Sequence, residues 1–482
     1  MTAGRAARLA IIAAPAALLA LNLLVIPGYT GDDAFIHFTY ARNLAERGIV
    51  SYNTGAASYG STSILWVVLC AAGSLLSRDV VLTGRVLCAL FTIASGALFA
   101  EYLSSTLRLS PRCVLAGLTV YLGNAVMFRW MLTGMETGLT LFVAVLLLRS
   151  WSPGHPLRNA LLTLAAYLDR PEFILLPVAW CLVLFIRRRE GARREALLYV
   201  PALIALFACW FGAASAYFHA LFPLTSLKTG SAFDAESLLR FAGVAAGMYP
   251  DLIAAAALLA LTGRASRAAL RNVPPAEMLL FAFSAILLCT YALKGTNMIS
   301  RYLLIIHPAV ALLFVRLLAA DGSGRRLARG AVLIAGAQTA LFLSVHLGPI
   351  RSFVGGFQSV YASLGRRIAA EPDTGAVMAA DVGMVGYYSR RPVIDLGGLT
   401  STHTRDAGTT ADTAIVARYR PRYVIARLPS PAIDSCVARW KAASPALTGA
   451  AQLRHDRIGR LGVMGSAHDT YDVYLVRLLW AE

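Results

Sequence analysis

A series of long apolar runs constrains this sequence more than any other feature. The chain has 482 residues, 57% of them hydrophobic, and its mean hydropathy is +0.62. That composition is far too apolar for a soluble globular protein and predicts a polytopic α-helical membrane protein. Eleven runs predict membrane helices, near residues 8–27, 82–104, 112–128, 132–150, 157–168, 171–187, 196–220, 239–262, 276–293, 300–319 and 329–347.

The distribution of arginine predicts the orientation of these helices. The net charge is +18, and only three of the 44 basic residues are lysines. Nucleic acid is an obvious partner for such a charge, but the arginines lie in short loops between apolar runs, which the positive-inside rule explains better. A twelfth run at 62–77 would place the arginines of 187–194 outside if it crossed the membrane. We expect it to lie on the outer face, which gives about 11 transmembrane helices, an uncleaved first helix with its N-terminus inside, and the C-terminus outside.

Two adjacent carboxylates, Asp32 and Asp33, lie where the first helix meets the first outer loop, residues 28–81. Charges crowded together at a membrane face are costly and usually mark a functional site. The alternative is that one of them caps the helix that runs through Arg42. Because capping needs only one aspartate, the pair favours a site.

The predicted topology gathers the rarer polar groups of the membrane part on the outer face. The outer loops then hold Glu136, Lys228, Lys294 and Arg301. The runs 157–168 and 171–187 are shorter than the ~20 residues that a membrane span needs.

The joint between these two short runs is Asp169-Arg170-Pro171-Glu172, and we expect it to lie below the outer surface, inside protein. Buried charges there must pair or bind a ligand. An internal salt bridge at the helix break is the alternative, and the two interpretations are compatible.

From about residue 348 apolar strand-like segments alternate with polar loops, which predicts a small soluble α/β domain over 348–482, following a transmembrane catalytic domain over 1–347. The strand-like segments are 376–379, 392–395, 423–426 and 472–476. Asp381-Val382-Gly383 follows the first of them, as a strand-end turn or, alternatively, a ligand loop.

The polar groups of the outer face suit transfer from an anionic, lipid-linked donor. A carboxylate can act as a base toward an acceptor hydroxyl, and lysine or arginine can bind a phosphodiester and stabilise the leaving phosphate. A carboxylate pair can also hold a divalent cation such as Mg²⁺, Mn²⁺ or Ca²⁺. A membrane transporter or flippase of lipid-linked sugars is the main alternative, and a non-catalytic scaffold that binds the donor is another.

Several motifs in order along the chain resemble those of bacterial GT-C glycosyltransferases, polytopic enzymes that use polyprenyl-phosphate sugars. The likeness is closest to the terminal arabinofuranosyltransferases of the actinobacterial cell wall and more distant to protein mannosyltransferases and aminoarabinose transferases. The motifs are Asp32 to Ile36, Tyr40 to Ala45, Tyr52-Asn53, Ser61 to Trp66, Gly134 to Thr137, Arg170 to Phe173, Pro223 to Gly230, Ser300 to Leu303, and Asp381 to Tyr388.

The resemblance implies a GT-C fold and an inverting, polyprenyl-phosphate-dependent sugar transfer to an extracytoplasmic glycan or lipid acceptor, at the bacterial inner membrane. It implies Asp32 or Asp33 as the base, with a slight preference for Asp32 and with Asp33 positioning substrate or binding a metal. Residues implied in donor binding are Glu136, Arg170, Glu172, Lys228 and Arg301, with Tyr40 and Arg42 as supports. Asp169, and Ala56-Ala57-Ser58 in the first loop, depart from the family pattern, which weakens the implied acceptor contacts near 56–58.

Overall fold

The computed structural model describes residues 2–187, 191–224, 238–239, 241–243, 254, 257, 273–294, 300–319, 324–401, 403–407, 411–428, 433–458 and 470–481. The chain divides into two compact units. Unit 1 contains Met1–Pro27, Arg85–Gly212 and Thr229–His346, and unit 2 contains Gly28–Gly84, Ala213–Lys228 and Leu347–Glu482. The first-loop region thus packs in the same unit as the C-terminal residues, while the functional domains 1–347 and 348–482 stay a prediction.

Helices account for most of the described chain. Their bounds are Thr2–Val25, Asp32–Arg47, Ile64–Ser77, Val80–Ser105, Pro111–Leu122, Ala125–Trp130, Thr137–Ser150, Pro156–Asp169, Leu176–Arg187, Ala192–Phe218, Pro275–Leu293, His307–Ala319, Arg325–Leu341, Leu347–Ser352, Ser359–Ala370, Gly383–Ser389, His403–Ala407, Asp412–Tyr419 and Ile433–Ala443. Pro171–Leu175 and Ser300–Ile306 are 3₁₀-helices, and Phe342–His346 and Phe353–Gln358 are π-helical turns.

The apolar helices confirm a polytopic membrane protein. Among the described residues, five helical stretches are long and apolar enough to cross a membrane: Val80–Ser105, Ala192–Phe218, Pro275–Leu293, Ser300–Ala319 and Arg325–Ala370. The count of eleven stays a prediction, and the run at 239–262 lies largely outside the described residues. The run at 62–77 forms a helix of 14 residues, which reaches only about 21 Å at 1.5 Å per residue.

Local sequence explains two helix breaks, one inside the predicted run 112–128 and one at the predicted joint 169–172. The run 112–128 ends one helix at Leu122 and starts another at Ala125, because the Asn124 side chain accepts hydrogen bonds from Val126 N and Met127 N and so caps the second helix. The joint after Asp169 breaks at Pro171, and Arg170 before it is extended, as the residue preceding a proline usually is.

Unit 2 contains a mixed sheet of five described strands. They are β1 Val377–Ala379, β2 Val393–Asp395, β3 Tyr423–Leu428, β4 Leu447–Ile458 and β5 Tyr471–Trp480. The order is β2-β1-β3-β5-β4: β1 pairs in parallel with β2 and β3, and β5 pairs antiparallel with β3 and β4. Met378, Val424, Val476 and Trp440 lie in the apolar core on this sheet.

The structure differs from the predicted elements of this region in two ways. Strand β4 was not predicted, because its sequence is polar and most of its residues are only partly buried, as on the edge of a sheet. The helix predicted to end near residue 347 continues through π-helical turns to Ala370, so helix rather than loop begins the C-terminal region.

Candidate active site

Asp32 and Asp33 are the first two residues of a helix in unit 2, Asp32–Arg47, which we call the Asp32 helix. Gly31, which has no side chain, occupies its N-cap position. Neither Asp32 nor Asp33 is therefore the N-cap residue of this helix. Both carboxylates lie in the first turn, where the positive end of the helix dipole stabilises negative charge.

Asp32 instead caps a second helix of unit 2, Gly383–Ser389, which we call the Gly383 helix. Its Oδ2 accepts a hydrogen bond from Gly383 N at 3.0 Å, and its Oδ1 accepts one from Met384 N at 2.8 Å. A helix leaves its first N–H groups without partners inside the helix. A carboxylate 351 positions earlier in the chain thus satisfies both of these donors.

Two glycines allow these helices to approach each other. A Cβ atom on Gly383 would lie 1.9 Å from the backbone oxygen of Asp32, and one on Gly386 would lie 1.9 Å from the Tyr52 hydroxyl. The Tyr52 hydroxyl donates to Val382 O at 2.6 Å. The segment from Asp381 to Gly383 is the turn between β1 and the Gly383 helix, as the strand-end interpretation predicts.

A third carboxylate, Asp381, belongs to the same site. Its Oδ2 accepts a hydrogen bond from the Tyr361 hydroxyl at 3.0 Å and lies 3.0 Å from Arg427 Nη1. Reasoning from the sequence assigned Asp381 to a turn and missed its two partners, since neither Tyr361 nor Arg427 lies in a motif. The available signals were the position of Asp381 just after a strand and its place in the motif Asp381 to Tyr388.

The electrostatics of the site favour a proton on Asp32. Burial, with the negative charges of Asp381 and Asp33, raises the pKa of Asp32 to about 7, although the N–H groups of Met384 and Gly383 act in the opposite direction. Burial also raises the pKa of Asp381, and Arg427 limits that rise. A carboxyl with a pKa near neutrality can change its protonation state under physiological conditions.

The Asp pair alone does not form a cage for a cation. In the part of the chain that the structure describes, no group of three or more His, Cys, Asp or Glu side chains is placed to hold a metal ion. Both oxygens of Asp32 already accept backbone hydrogen bonds, and Asp381 is paired with Arg427. The described residues thus show no preformed metal cage, and a cation held by Asp32 and Asp33 stays a prediction.

The two predicted supports, Tyr40 and Arg42, are buried in unit 2 and hold its elements together. The Tyr40 hydroxyl lies 3.0 Å from Ser58 Oγ and accepts a hydrogen bond from Gly60 N. Arg42 Nη1 donates to Tyr387 O at 2.7 Å, and the guanidinium lies over the Tyr387 ring. Arg42 thus joins the Asp32 helix to the Gly383 helix.

Unit 1 brings four other predicted residues, Glu136, Arg170, Glu172 and Arg301, into one group, which we call the Arg170 cluster. Arg170 Nη1 donates to Glu136 Oε1 at 2.6 Å, and its Nη2 and Nε donate to Glu172 at 2.5 and 3.2 Å. Glu136 is buried, with 1% of its surface exposed. Buried neighbours of opposite charge that pair in this way satisfy each other.

Aromatic side chains complete the Arg170 cluster. The guanidinium groups of Arg170 and Arg301 each lie 5.4 Å from the Tyr302 ring centroid, and Arg301 lies 5.5 Å from that of Trp130. The Tyr291 hydroxyl donates to Glu172 Oε1 at 3.0 Å. The sequence did not single out these aromatic partners, because aromatic residues are common in apolar helices. Cation–π contacts hold both guanidinium planes.

Two other residues that the sequence singled out have different outcomes. Lys228 and the loop 227–230 lie outside the described residues, so the lysine stays a prediction. Asp169 is fully buried beside Glu136 and Arg170 in unit 1. The internal salt bridge proposed for the 169–172 joint is present between Arg170 and Glu172.

Comparison with known proteins identifies the fold. Comparison with curated proteins gives no match. Residues 355–474 match a family model described as a domain of unknown function, DUF8728. The crystal structure of ArnT from Cupriavidus metallidurans bound to undecaprenyl phosphate matches with a TM-score of 0.60 at 14% identity, covering 98% of each chain. Its apo structure matches with a TM-score of 0.63 at 13% identity and the same coverage.

Two further solved structures share this architecture. The Archaeoglobus fulgidus oligosaccharyltransferase matches with a TM-score of 0.53 at 12% identity over 92% of this chain and 71% of its own. The arabinofuranosyltransferase AftD from Mycobacteria matches with a TM-score of 0.52 at 16% identity, over 98% of this chain but 40% of its own. The chain therefore has the GT-C glycosyltransferase fold, as its motifs predict. At these identities the likeness establishes the fold alone.

Proposed function

We propose that this protein is an integral membrane glycosyltransferase that moves a sugar from a polyprenyl-phosphate donor to a glycan or lipid acceptor, with inversion at the anomeric carbon. The GT-C fold over nearly the whole chain supports this proposal, since one of the similar structures holds undecaprenyl phosphate. The single observation that carries the chemistry is the Asp32 carboxyl, whose pKa is raised to about 7. The sugar is a pentose or hexose, with arabinofuranose the first to test because of the likeness to AftD.

The proposed base is Asp32, with Asp33 positioning the acceptor. A base must take the proton of the acceptor hydroxyl as that oxygen attacks the anomeric carbon and the donor phosphate leaves. A base with a pKa near the working pH combines a sufficient ionised fraction with a sufficient driving force for proton transfer. The two hydrogen bonds from the Gly383 helix fix the orientation of the Asp32 carboxylate. This orientation leaves other lone pairs of the same oxygens for the acceptor proton.

The proposed donor-binding groups are cationic. Arg170 and Arg301 have fixed guanidinium planes and suit an oxyanion, and Glu136 and Glu172 hold Arg170 in place. Lys228 is proposed to contact the lipid phosphate, because lysine is so scarce in this chain. Loss of one charged hydrogen bond costs about 1.5–3 kcal/mol, so Lys228→Ala is expected to weaken donor binding about tenfold to a hundredfold. Unchanged donor affinity in this variant would remove Lys228 from the site.

The proposed location is the bacterial inner membrane, with the reaction on its outer face. The arginine-rich loops, expected inside, support this orientation. Single cysteines in a Cys-free variant, placed in the 187–194 loop and after residue 470, would be labelled with an impermeant thiol reagent on intact cells. Labelling of only the C-terminal cysteine is expected, and labelling of only the loop cysteine would reverse the orientation.

A donor panel tests the reaction itself. The purified protein is incubated with polyprenyl-phosphate arabinofuranose, mannose, glucose and aminoarabinose and with membrane lipid and glycan extracts, and the products are mapped by mass spectrometry. A new glycosidic bond with inverted configuration is expected from one donor. Movement of a lipid-linked sugar across vesicle membranes without a new bond would instead establish the transporter alternative.

A further inference from the structure

An open cleft in unit 2 is rich in arginine. It lies beside the C-terminal half of the Asp32 helix, where that helix meets the end of the Gly383 helix. The lining residues are Arg42, Asn43, Glu46, Arg47, Tyr52, Thr54, Gly386, Arg390 and Arg391. We call this the arginine cleft.

The charge of the arginine cleft is largely uncompensated. Four arginines and one glutamate line it. Glu46 lies 3.5 Å from Arg390, and both side chains are largely exposed, so their attraction is weak. Within the described part of the chain no carboxylate lies within 4.0 Å of Arg42, Arg47 or Arg391. Cations gathered in this way repel each other unless an anion joins them.

Arg42 shows this repulsion most clearly. Only 8% of its surface is exposed. Burial and the positive charge of Arg390 both lower the pKa of Arg42. Its one described hydrogen bond goes to the neutral carbonyl of Tyr387, which leaves further guanidinium N–H donors for another acceptor. The buried guanidinium of Arg42 is thus paired with a backbone carbonyl and a ring, and it has donors left for an anion.

The walls of the cleft are held in place before any ligand binds. The Asn43 amide donates to Ser51 O and Tyr52 O at 2.8 and 3.0 Å. Arg391 Nη2 donates to Glu371 O at 2.7 Å, while its buried Nε has no described hydrogen-bond partner. Preformed donors lose little conformational entropy when a ligand arrives.

We propose that the arginine cleft binds a phosphate group. Guanidinium groups match phosphate oxygens with pairs of parallel hydrogen bonds. A phosphate monoester carries a charge of about −1.5 to −2, which suits several guanidinium groups better than a single carboxylate does. The phosphate belongs either to a soluble phosphorylated compound or to the headgroup of an anionic phospholipid, and both present the same oxygens. Binding at this site requires no sugar transfer, and neither Asp32 nor Asp33 lines the cleft.

Substitutions that keep the fold test the proposal. Arg390 ends the Gly383 helix with φ of 52°, a left-handed conformation that asparagine tolerates. Arg390→Asn therefore removes the charge without backbone strain. Arg420 ends another helix of unit 2 in the same conformation, with φ of 45°, outside the cleft, so Arg420→Asn is the matched control. Arg47→Gln removes a second, exposed cleft charge.

Binding is measured on the full chain in nanodiscs of phosphatidylcholine, at constant ionic strength set with chloride. Inorganic phosphate is titrated and followed by ³¹P NMR line broadening. Saturable binding is expected in the wild type and in Arg420→Asn. Arg390→Asn and Arg47→Gln are each expected to weaken it about tenfold or more. Melting curves confirm that each variant is folded.

A second arm identifies the source of the phosphate. The wild type, the cleft variants and Arg420→Asn are each placed in nanodiscs that contain phosphatidylglycerol. Native mass spectrometry then counts the anionic lipids that each protein retains. Fewer retained lipids in the cleft variants than in Arg420→Asn establish a headgroup ligand, while a difference in phosphate titration alone establishes a soluble ligand. If folded Arg390→Asn and Arg47→Gln match Arg420→Asn in both arms, the proposal is wrong, whatever the sugar-transfer assay shows.

Discussion

Asp32 in unit 2 and Glu172 in unit 1 are both carboxylates that the motifs predict as functional residues, and each unit stabilises its own carboxylate in a different way. The oxygens of Asp32 accept hydrogen bonds from two neutral backbone N–H groups. Glu172 pairs with the charged guanidinium of Arg170 through two hydrogen bonds. A neighbouring cation stabilises the ionised form of a carboxylate. Neutral hydrogen-bond donors, with other carboxylates nearby, instead allow a buried carboxyl to gain and lose a proton near neutral pH. This difference supports the proposal that Asp32 transfers the proton, while the Arg170 cluster keeps its carboxylates ionised.

The largest expected effect comes from removing the charge of the base. Asp32→Asn is expected to lower the turnover of sugar transfer by about 10²–10⁴-fold, the usual contribution of a general base. The variant also loses one of its two accepted hydrogen bonds, since an amide has only one acceptor oxygen, so a stability loss of about 1 kcal/mol is expected. Turnover and melting temperature are measured on the same preparation.

Asp33→Asn is the matched control for that variant. Asp33 makes neither of the two capping hydrogen bonds to Gly383 and Met384, so its variant separates charge from capping. A smaller loss of turnover than in Asp32→Asn is expected. Turnover within a few-fold of wild type in both variants would remove the enzyme interpretation and favour the transporter.

The next effect concerns stability in unit 1. Arg170→Ala leaves the buried Glu136 and the partly buried Glu172 without their cation, and removing one partner of a buried pair costs about 3–5 kcal/mol. A lower folded yield and a lower melting temperature are expected together with lost activity. Arg149→Ala breaks an exposed pair with Glu101 and is the control, with an expected change of less than about 1 kcal/mol. Equal melting temperatures for the two variants would show that the cluster contributes nothing to the fold.

Close packing against Asp32 gives a third, smaller effect. Gly383→Ala would place a Cβ atom 1.9 Å from the backbone oxygen of Asp32, so the two helices must separate. Overpacking of this kind costs about 1–3 kcal/mol. Gly348→Ala, at a helix position with open space around it, is the control and is expected to be neutral or slightly stabilising. If Gly383→Ala and Gly348→Ala have the same melting temperature, the Asp32 helix and the Gly383 helix are not tightly packed in solution.

A change of pH tests the comparison between Asp32 and Glu172 without any substitution, so it perturbs the protein least. Because the pKa of Asp32 is about 7, the rate should rise about tenfold per pH unit below that value and level off above it. The folded pKa lies above the ordinary value of 3.8, so the fold favours the protonated form. The contribution of Asp32 to stability is therefore present at low pH and lost as the pH rises through about 7. The melting temperature of the wild type should fall relative to Asp32→Asn between pH 5 and 8.

A pH–rate profile that is flat from pH 5 to 8 would contradict Asp32 as the base. A profile that persists unchanged in Asp33→Asn but vanishes in Asp32→Asn would assign the proton to Asp32. This measurement distinguishes a catalytic from a purely structural carboxylate, since a structural role would move only the melting temperature.

Local patterns in the sequence were sufficient to predict the fold class, and they singled out polar residues that the fold brings together. Hydropathy is a property of each segment, so the apolar runs predicted the membrane helices, and Pro171 predicted the break beside Arg170. Motifs at short spacing predicted Glu136, Arg170, Glu172 and Arg301, which the fold gathers in unit 1. Strands β1, β2, β3 and β5 were found by their apolar character, and β4 was missed because an edge strand need not be apolar.

Only the tertiary structure determines which of these residues contact each other. No local pattern shows that Asp32 caps a helix 351 positions later in the chain. Nor does any pattern show that Gly383 packs against the backbone of Asp32 and Gly386 against the Tyr52 hydroxyl. Nor does any pattern show that Arg42 and Arg390 meet in one cleft. The physical reason is that hydropathy and helix signals act between neighbours in the chain, whereas a raised pKa or a concentrated positive charge depends on which distant groups the fold brings together.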